Sequence, residues 1–312
     1  MSIGTEIERT TPREENPVSL SAADGLSIVI PAYNEENGIV AVLRDLLDTL
    51  DSLTLKMPVE VIVVDDGSRD GTSGAVESFL ADGIQLVQHP KNRGYGAALK
   101  TGIHHARYPW ILITDADGTY PNEFIPQVLA YGDHNEMVVG ARIGERALIP
   151  LIRRPPKWVL RRLASYLSRR EIPDLNSGFR LMRKDIVEDY FNILPDGFSF
   201  TTTITLAMFS AGHSVAYVPI NYNRRQGKSK IRPIHDTLNF LRLIVRTIMY
   251  FDPLRVFIPA SFSFFLASFA VAVGSFLLTD KLMDVTTVLL FVTGVQLLAI
   301  GMLADMLNRR LS

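Results

Sequence analysis

The chain has 312 residues, no cysteine and a formal net charge of -1. The absence of cysteine excludes a disulfide framework, a thiolate nucleophile and a cysteine metal site. A net charge near zero provides no overall attraction to nucleic acid, so no nucleic-acid partner is expected. Residues 1–24 are polar and lack the apolar stretch of a signal peptide. They are predicted to form a disordered tail.

From residue 25 onward, short apolar runs alternate with segments whose apolar residues recur at helical spacing. Strands are predicted at residues 26–30, 59–64, 84–87, 110–114 and 137–140, and helices at residues 35–50, 72–80 and 96–106. Strands that alternate with helices in this way form a parallel sheet with helices on both faces. The predicted fold class is therefore α/β, with a mostly parallel sheet.

Polar motifs follow three of these strands, at residues 31–35, 65–68 and 115–117. The carboxyl ends of parallel strands meet at one edge of a sheet, and ligands bind at that edge. Asp115 and Asp117 are two positions apart on extended chain and therefore point to the same side. Such a pair of carboxylates suits a hard divalent cation, Mg²⁺ or Mn²⁺, which in turn binds phosphates.

Several common nucleotide and hydrolase motifs are missing from the chain. There is no G-x-G-x-x-G after the first predicted strand, no G-x-x-x-x-G-K-[ST], no G-x-S-x-G and no H-E-x-x-H. Their absence argues against a dinucleotide-binding protein, a P-loop NTPase, an α/β-hydrolase and a zinc protease with that motif.

The C-terminal part differs in character from the rest. Residues 256–278 and 285–304 carry no charge, and each run is long enough to cross a bilayer core of about 30 Å. The turn between them contains Asp280, Lys281 and Asp284, so a transmembrane hairpin is predicted. Cations flank the two runs at Arg242, Arg246, Arg255, Arg309 and Arg310. By the positive-inside rule, the N-terminal domain and both termini are expected to be cytoplasmic.

A juxtamembrane helix is predicted between the domain and the hairpin, at residues 231–252. Its apolar residues recur at helical spacing, and two arginines lie among them. This pattern favours an amphipathic helix in the membrane interface, and the alternative is a helix packed on the domain. The predicted organisation is a tail at 1–24, an α/β domain at 25–230, this helix, and a hairpin at 253–312.

The order and spacing of the motifs resemble a known family. IPAYNEE (30–36), VDDGSRDGT (64–72) and DADG (115–118) are similar to motifs of inverting family 2 glycosyltransferases, which have the Rossmann-like GT-A fold. NRGYGAA (92–98), NSGFR (176–180) and RRQGKSK (224–230) further resemble the polyprenyl-phosphate glycosyltransferases. That group includes dolichol-phosphate mannose synthase and the bactoprenol glucosyltransferases.

The resemblance implies a nucleotide-sugar donor and a divalent metal. It assigns the donor to Pro31, Tyr33, Asn34, Glu35, Asp65, Asp66, Gly67, Arg93, Gly94, Asp115 and Ala116. Asp115 and Asp117 are assigned to Mg²⁺ or Mn²⁺, which would bridge the diphosphate. Several relatives carry a Gln two residues after the second Asp. This chain has Thr119 there, which leaves Thr119 or water to complete the metal shell.

The resemblance also implies a polyprenyl-phosphate acceptor. The basic segment 142–170 suits an anionic membrane surface, and phosphate contacts are assigned to Arg142, Ser177, Arg180, Arg224, Lys228 and Lys230. A phosphate monoester has a second pKa of about 6 and is largely dianionic at neutral pH. Its oxygen can therefore attack the sugar without a strong base. Asp174 joins Asp115 and Asp117 as a predicted catalytic residue. It is either an auxiliary base or sugar contact, or a loop cap before Asn176.

Together these features predict transfer of glucose from UDP-glucose to undecaprenyl phosphate, with inversion. Two alternatives stay open: a GDP-mannose-dependent mannose synthase, and a membrane-anchored binding or scaffold protein with an inactive transferase domain. Small residues in the hairpin permit close helix contact, at Ala267, Ala270, Gly274, Gly294 and Gly301. Relatives with such a tail form tetramers, so a homotetramer in the plasma (inner) membrane is expected.

Overall fold

The computed structural model describes residues 25–53, 55, 57–142, 165, 171–197, 199–221, 245–250, 252–279 and 285–311. Several predicted features lie outside these residues. They are the tail 1–24, nearly all of the basic segment 142–170, the first part of the juxtamembrane helix, the hairpin turn 280–284, and Arg224, Lys228 and Lys230.

The strands are β1 (Leu26–Ala32), β2 (Val59–Asp65), β3 (Ile84–Gln88), β4 (Trp110–Ile113), β5 (Met137–Ala141), β6 (Arg180–Arg183) and β7 (Val215–Pro219). The helices of the same domain are α1 (Glu36–Ser52), α2 (Thr72–Glu77), α3 (Tyr95–His105), α4 (Ile125–Gly132), α5 (Lys184–Asp189) and α6 (Phe200–Ser210). Two long helices follow, α7 (Leu254–Thr279) and α8 (Val285–Leu311).

In the described part of the chain the strands form one sheet in the order β3-β2-β1-β4-β6-β5-β7. Neighbours pair in parallel except at β6, which runs antiparallel to both β4 and β5. Ala32 lies opposite Asp65, and Val29 lies opposite Ile113. The segments that follow β1, β2 and β4 therefore emerge at the same edge. The predicted α/β class with a mostly parallel sheet is confirmed.

The core lies on both faces of the sheet because side chains alternate along each strand. On one face Ile28 and Ile30 of β1 pack with Leu43 of α1 and with residues of α4. On the other face Val29 packs with Leu99 of α3 and with residues of α6. These side chains are fully buried. The prediction of helices on both faces is confirmed.

The domain differs from the sequence-based prediction in its second helix and in elements that were not predicted, which are α4, α5, α6, β6 and β7. The second helix ends at Glu77, and a short 3₁₀ turn at Leu80–Asp82 follows it, so the predicted helix 72–80 is too long. The reversed strand β6 was not predicted. It has only four residues, with an arginine at each end, and so lacks the apolar run that marks β1 or β2.

Helices α7 and α8 form a hairpin joined by contacts along its length. Leu254–Leu277 and Val285–Leu307 have mean hydropathies of 2.1 and 2.2, so both are long and apolar enough to cross a membrane. The Ser261 hydroxyl donates to the Gly294 carbonyl at 2.7 Å. A Cβ at Gly301 would lie 2.5 Å from that of Phe257, so glycine lets the helices approach closely. Gly294 and Gly301 thus serve packing inside the hairpin, although the sequence had offered them for contact between copies.

The base of the hairpin contacts the α/β domain. Residues 245–250 are helical, and Ile248 packs in a buried cluster with Ile172 and Leu206. Val256, in the first turn of α7, lies against the same cluster. The described end of the predicted juxtamembrane helix therefore packs on the domain through one side, while Tyr250 is exposed on another.

Candidate functional site

The loops after β1 and β2 are joined by hydrogen bonds at the carboxyl edge of the sheet. The backbone N–H of Asn34 donates to Ser68 Oγ at 2.9 Å, and that of Arg69 donates to Asn34 Oδ1 at 2.8 Å. The N–H of Glu35 donates to Thr72 Oγ1 at 2.9 Å. Asn34 has a φ of 54°, a left-handed conformation that asparagine tolerates better than most residues. Asn34 and Glu35, both predicted to bind the donor, thus also fix the shape of this edge.

Asp65 and Asp66 differ in what they bind, although both are buried. Asp65 Oδ1 accepts from the backbone N–H of Ser68 at 2.9 Å, and its other oxygen accepts from the hydroxyl of Ser73. Asp65 therefore shapes the turn that leads from β2 into α2.

Asp66 reaches instead to the segment before α3. Its two oxygens accept from the backbone N–H groups of Arg93, at 2.9 Å, and Gly94, at 2.8 Å. His89 Nδ1 lies 2.7 Å from Asp66 Oδ1, and His89 Nε2 lies 2.9 Å from Thr101 Oγ1. This chain of contacts fixes the start of α3 relative to β2 and β3.

A groove of about 360 Å³ opens between the loops that follow β1, β2 and β3. Tyr33, Asp65 and Gly67, all predicted donor residues, line it. Gly67 has a φ of 71°, and a Cβ there would lie 2.5 Å from the carbonyl carbon of Lys91, so only glycine fits. The volume lies in the range of small-molecule sites.

Some groove residues were missed from the sequence. Gln88, His89 and Lys91 line the groove but belong to no predicted motif. Their position directly after a predicted strand at the binding edge was the available signal. Of the other predicted donor residues, Pro31 and Ala116 are buried and the Arg93 side chain is exposed.

Asp115 follows β4 and is contacted by two residues that lie in the motifs 92–98 and 176–180 but had been given no role. The Tyr95 hydroxyl donates to Asp115 Oδ1 at 3.0 Å. The backbone of Gly178 lies against the carboxylate, so a Cβ there would be 2.8 Å from Oδ1. Burial, and then the charge of Asp115, raises the pKa of Tyr95 well above its usual value. The hydroxyl therefore stays protonated and remains a donor at neutral pH.

Asp117 is supported locally by Thr119. Asp117 Oδ1 accepts from the backbone N–H of Thr119 at 3.1 Å and from its hydroxyl at 2.6 Å. Within the described ranges, no three His, Cys, Asp or Glu side chains gather as a metal site. Asp115 and Asp117 supply oxygen donors that suit a hard cation, and Mg²⁺ commonly completes its shell with water and substrate phosphates. The residues present therefore fit a cation held by two carboxylates.

Arg142 and Asp174 form a paired group at the same edge. Arg142 follows β5, and its Nε and Nη2 donate to Asp174 at 2.6 and 2.8 Å. Asp174 Oδ1 also accepts from the N–H of Asn176 at 3.1 Å, the loop-cap geometry left open by the sequence. Burial alone would raise the pKa of Asp174, but hydrogen bonds and charge from Arg142 hold it well below the usual range. So strongly ionised a carboxylate is a weak proton acceptor.

Ser177 and Arg180 support this segment from inside. The Ser177 hydroxyl donates to the Gly140 carbonyl at 2.5 Å and is fully buried. Arg180 is also fully buried, and its guanidinium donates to Ser177 O, Leu175 O and Thr205 Oγ1 at 2.6, 3.0 and 2.5 Å. This burial contradicts the prediction that Arg180 contacts an acceptor phosphate. Its role is to hold the residues between Asp174 and β6.

Comparison with protein families matches both parts of the chain. Residues 27–191 match the model for glycosyl transferase family 2. Residues 252–309 match the GtrB C-terminal hairpin. The first match covers the sheet edge described above, and the second covers α7 and most of α8.

Curated relatives include enzymes named for polyprenyl-phosphate acceptors. A dolichyl-phosphate hexose transferase of Haloferax volcanii is 34% identical over 212 residues, covering 67% of this chain and 88% of the relative. An undecaprenyl-phosphate 4-deoxy-4-formamido-L-arabinose transferase of Shewanella sediminis is 26% identical over 303 residues, covering 92% and 88%. A dolichyl-phosphate beta-glucosyltransferase of Dictyostelium discoideum is 28% identical, covering 71% and 73%.

Solved structures share the fold at low identity. Glucosyl-3-phosphoglycerate synthase from Mycobacterium tuberculosis, in complex with Mn²⁺, UDP and phosphoglyceric acid, superimposes with a TM-score of 0.56. Its identity is 20%, and the match covers 73% of this chain and 79% of that one. The likeness establishes the GT-A type of fold.

Proposed function

This chain belongs to glycosyl transferase family 2, and on that premise we propose that it transfers a hexose to a membrane polyprenyl phosphate. The relatives named above support a polyprenyl-phosphate sugar transferase. We propose glucose, from UDP-glucose, as the sugar and undecaprenyl phosphate as the acceptor. The observation that carries the proposal is that the Asp115–Asp117 pair and the Arg142–Asp174 pair lie at one sheet edge, in a chain that ends in an apolar hairpin.

The donor half of the site comprises the groove and the acidic pair. The groove beside Tyr33 and Asp65 would hold the nucleoside, with Asp66 fixing the N–H groups of Arg93 and Gly94 beside it. Asp115 and Asp117 would hold Mg²⁺ or Mn²⁺. When bound there, the cation neutralises charge on the leaving diphosphate. The structural neighbour crystallised with Mn²⁺ and UDP supports a divalent metal in this kind of site.

The acceptor half requires positioning more than proton transfer. A lipid phosphate is largely dianionic at neutral pH, so one of its oxygens can attack the anomeric carbon directly and invert it. Arg142, held by Asp174, is proposed to orient that phosphate through guanidinium hydrogen bonds. Arg224, Lys228 and Lys230, outside the described residues, are proposed as further phosphate contacts. The low pKa of Asp174 favours a positioning role over that of a general base.

The hairpin is proposed to span the plasma (inner) membrane. Its two apolar helices and its match to a hairpin family support membrane association. The flanking cations favour a cytoplasmic catalytic domain with both termini on that side. We further propose a homotetramer. The alternatives are a GDP-mannose-dependent enzyme and an inactive scaffold. The first predicts product from GDP-mannose and the second predicts no product from any donor.

The test is product formation from a panel of radiolabelled nucleotide-sugars. Full-length protein would be assayed with undecaprenyl phosphate and Mg²⁺ or Mn²⁺, with an EDTA control. An organic-extractable product from UDP-glucose alone is expected, whereas product from GDP-mannose would favour the mannose synthase. Because the proposed metal would stabilise the charge of the transition state by several kcal/mol, Asp117→Asn should lower turnover by about 100-fold or more.

The matched control is Asp82→Asn, which alters an exposed acid just before β3, at the sheet edge opposite to the site. It should retain wild-type turnover. No product from any donor, with a folded protein and an added acceptor, would contradict the transferase proposal and favour the scaffold. Equal turnover in both variants would instead contradict the metal assignment.

A further inference from the structure

The carboxylate of Asp115 is enclosed from two sides by residues that no motif assigns to the metal. On one side the Tyr95 hydroxyl donates to Oδ1 at 3.0 Å. On the other side, a Cβ added to Gly178 would lie 2.8 Å from Oδ1 and 2.9 Å from Oδ2. The nearest atoms to that Cβ all belong to the Asp115 carboxyl group. A side chain at position 178 would therefore displace the carboxylate itself.

Tyr95 is the first residue of α3, and its backbone is firmly placed. The preceding Gly94 donates its N–H to buried Asp66 at 2.8 Å. At the following Gly96, a Cβ would lie 2.2 Å from the carbonyl oxygen of Pro195. The N–H of Ala97 donates to the carbonyl of Asp196 at 3.0 Å. These contacts determine where the hydroxyl of Tyr95 is presented.

Gly178 is placed just as firmly on the opposite side. Its N–H donates to the hydroxyl of Tyr120 at 2.7 Å, and the Tyr120 ring stacks on Phe179 with centroids 5.9 Å apart. The buried guanidinium of Arg180 holds the carbonyl of Ser177, the residue before. The two groups that enclose Asp115 therefore come from separate, independently anchored parts of the chain.

We propose that Tyr95 and Gly178 are positioning residues that hold Asp115 in the orientation needed to bind the divalent cation; this rests on the proposed function. A carboxylate that ligates a metal is itself oriented by outer hydrogen bonds, and loss of such a partner costs about 10–100-fold in metal affinity or activity. Tyr95 supplies that bond. Gly178, which has no Cβ, leaves room for the Asp115 carboxylate to keep its hydrogen bond to Tyr95.

The first test is Tyr95→Phe, which keeps the ring and removes the hydroxyl. Mn²⁺ binding to the full-length protein with UDP would be followed by electron paramagnetic resonance, beside the Mn²⁺ concentration for half-maximal turnover. We expect Mn²⁺ binding to weaken about 10-fold or more. The matched control is Tyr190→Phe, which removes a hydroxyl bound to His213 at 3.2 Å beside the same core. It should leave Mn²⁺ binding unchanged.

The second test is Gly178→Ala, matched with Gly197→Ala, where an added Cβ has open space. Gly178→Ala should weaken Mn²⁺ binding as Tyr95→Phe does, whereas Gly197→Ala should not. Thermal unfolding of each variant would establish that it is folded.

The outcomes separate this inference from the function on which it rests. Wild-type protein that binds no Mn²⁺ and forms no product would overturn both. Wild-type protein that binds no Mn²⁺ but forms product without metal would overturn the positioning role and the metal assignment, and would leave the transfer reaction standing. Wild-type protein that binds Mn²⁺, with both site variants equal to their controls, would overturn only the positioning role.

Discussion

The carboxylate of Asp174 is only 5% exposed and yet is ionised. Burial opposes its charge, and the three hydrogen bonds and the positive charge of Arg142, with the N–H of Asn176, outweigh that effect. Since the folded-state pKa lies below the ordinary value of 3.8, the carboxylate stabilises the fold above about that pH. This contribution is lost as pH falls through the folded-state pKa.

Asp174→Asn is therefore expected to destabilise the protein at pH 7. Removing one partner of a buried ion pair costs about 3 kcal/mol or more, because the other charge loses its counterion. Thermal unfolding of wild type and variant from pH 7 downward would measure the effect. The difference between them should narrow below pH 4.

Asp185→Asn is the matched control for that experiment. Asp185 is also bonded by an arginine, Arg183, at 2.8 Å, but the two side chains are 62% and 42% exposed. Exposed pairs of this kind contribute about 0–1 kcal/mol. A similar loss of stability in both variants would contradict the claim that burial makes the Arg142 pair important.

The acidic residues of the site could be predicted because each motif directly follows an apolar strand. Asp65, Asp115 and Asp117 all lie at the edge where the sequence placed them. Roles that depend on distant contacts could not be predicted. Arg180 carries the same charge as a phosphate-binding arginine, and only its burial beneath the loop shows otherwise. Tyr95 meets Asp115 across 20 positions of sequence, and no local pattern reveals that contact.

Among the elements, the hairpin depends on where its glycines lie. A Cβ at Gly301 would lie 2.5 Å from Phe257, and one at Gly294 would lie 2.6 Å from the Phe265 ring. Gly274 has open space within 4 Å. Composition showed all three as small residues, but only the packing of α7 on α8 distinguishes the buried ones from the open one.

Gly301→Val is expected to destabilise the hairpin, because its side chain would push α8 away from α7. Gly274→Val should have little effect on the same contact. The two variants would be compared in the same detergent. Light scattering during heating would follow thermal unfolding, and limited proteolysis would measure the protease resistance of the C-terminal fragment. Equal behaviour of the two variants would show that the close approach at Gly301 does not matter for the hairpin.

The reversed strand β6 explains why the edge could be only partly predicted. Parallel strands supply ligand-binding residues after they end, and the sequence-based prediction searched there. Because β6 runs in the opposite direction, the residues that precede it reach the same edge. Asp174 and Gly178 enter the site by this route. The family resemblance had pointed to the NSGFR motif, but the spacing of apolar residues around it did not predict a strand.

For the whole molecule, the absence of cysteine makes the orientation in the membrane directly testable. Lys281→Cys introduces a thiol at a sequence position between the end of α7 and the start of α8, and Tyr131→Cys introduces one at an exposed position of α4. If positive residues lie inside, a membrane-impermeant maleimide should label position 281 in intact cells. It should label position 131 only after permeabilisation. The reverse pattern would place the catalytic domain outside.

The bond between Arg142 and Asp174 also closes a loop of chain, since the two residues are 32 positions apart. The free-energy cost of closing a flexible loop is entropic and rises only with the logarithm of the loop length, by about 0.6 kcal/mol for each doubling of that length. The bond between Arg142 and Asp174 itself therefore sets only a weak limit on the number of residues between them. The basic segment that they enclose can diverge in length and charge while its ends stay fixed.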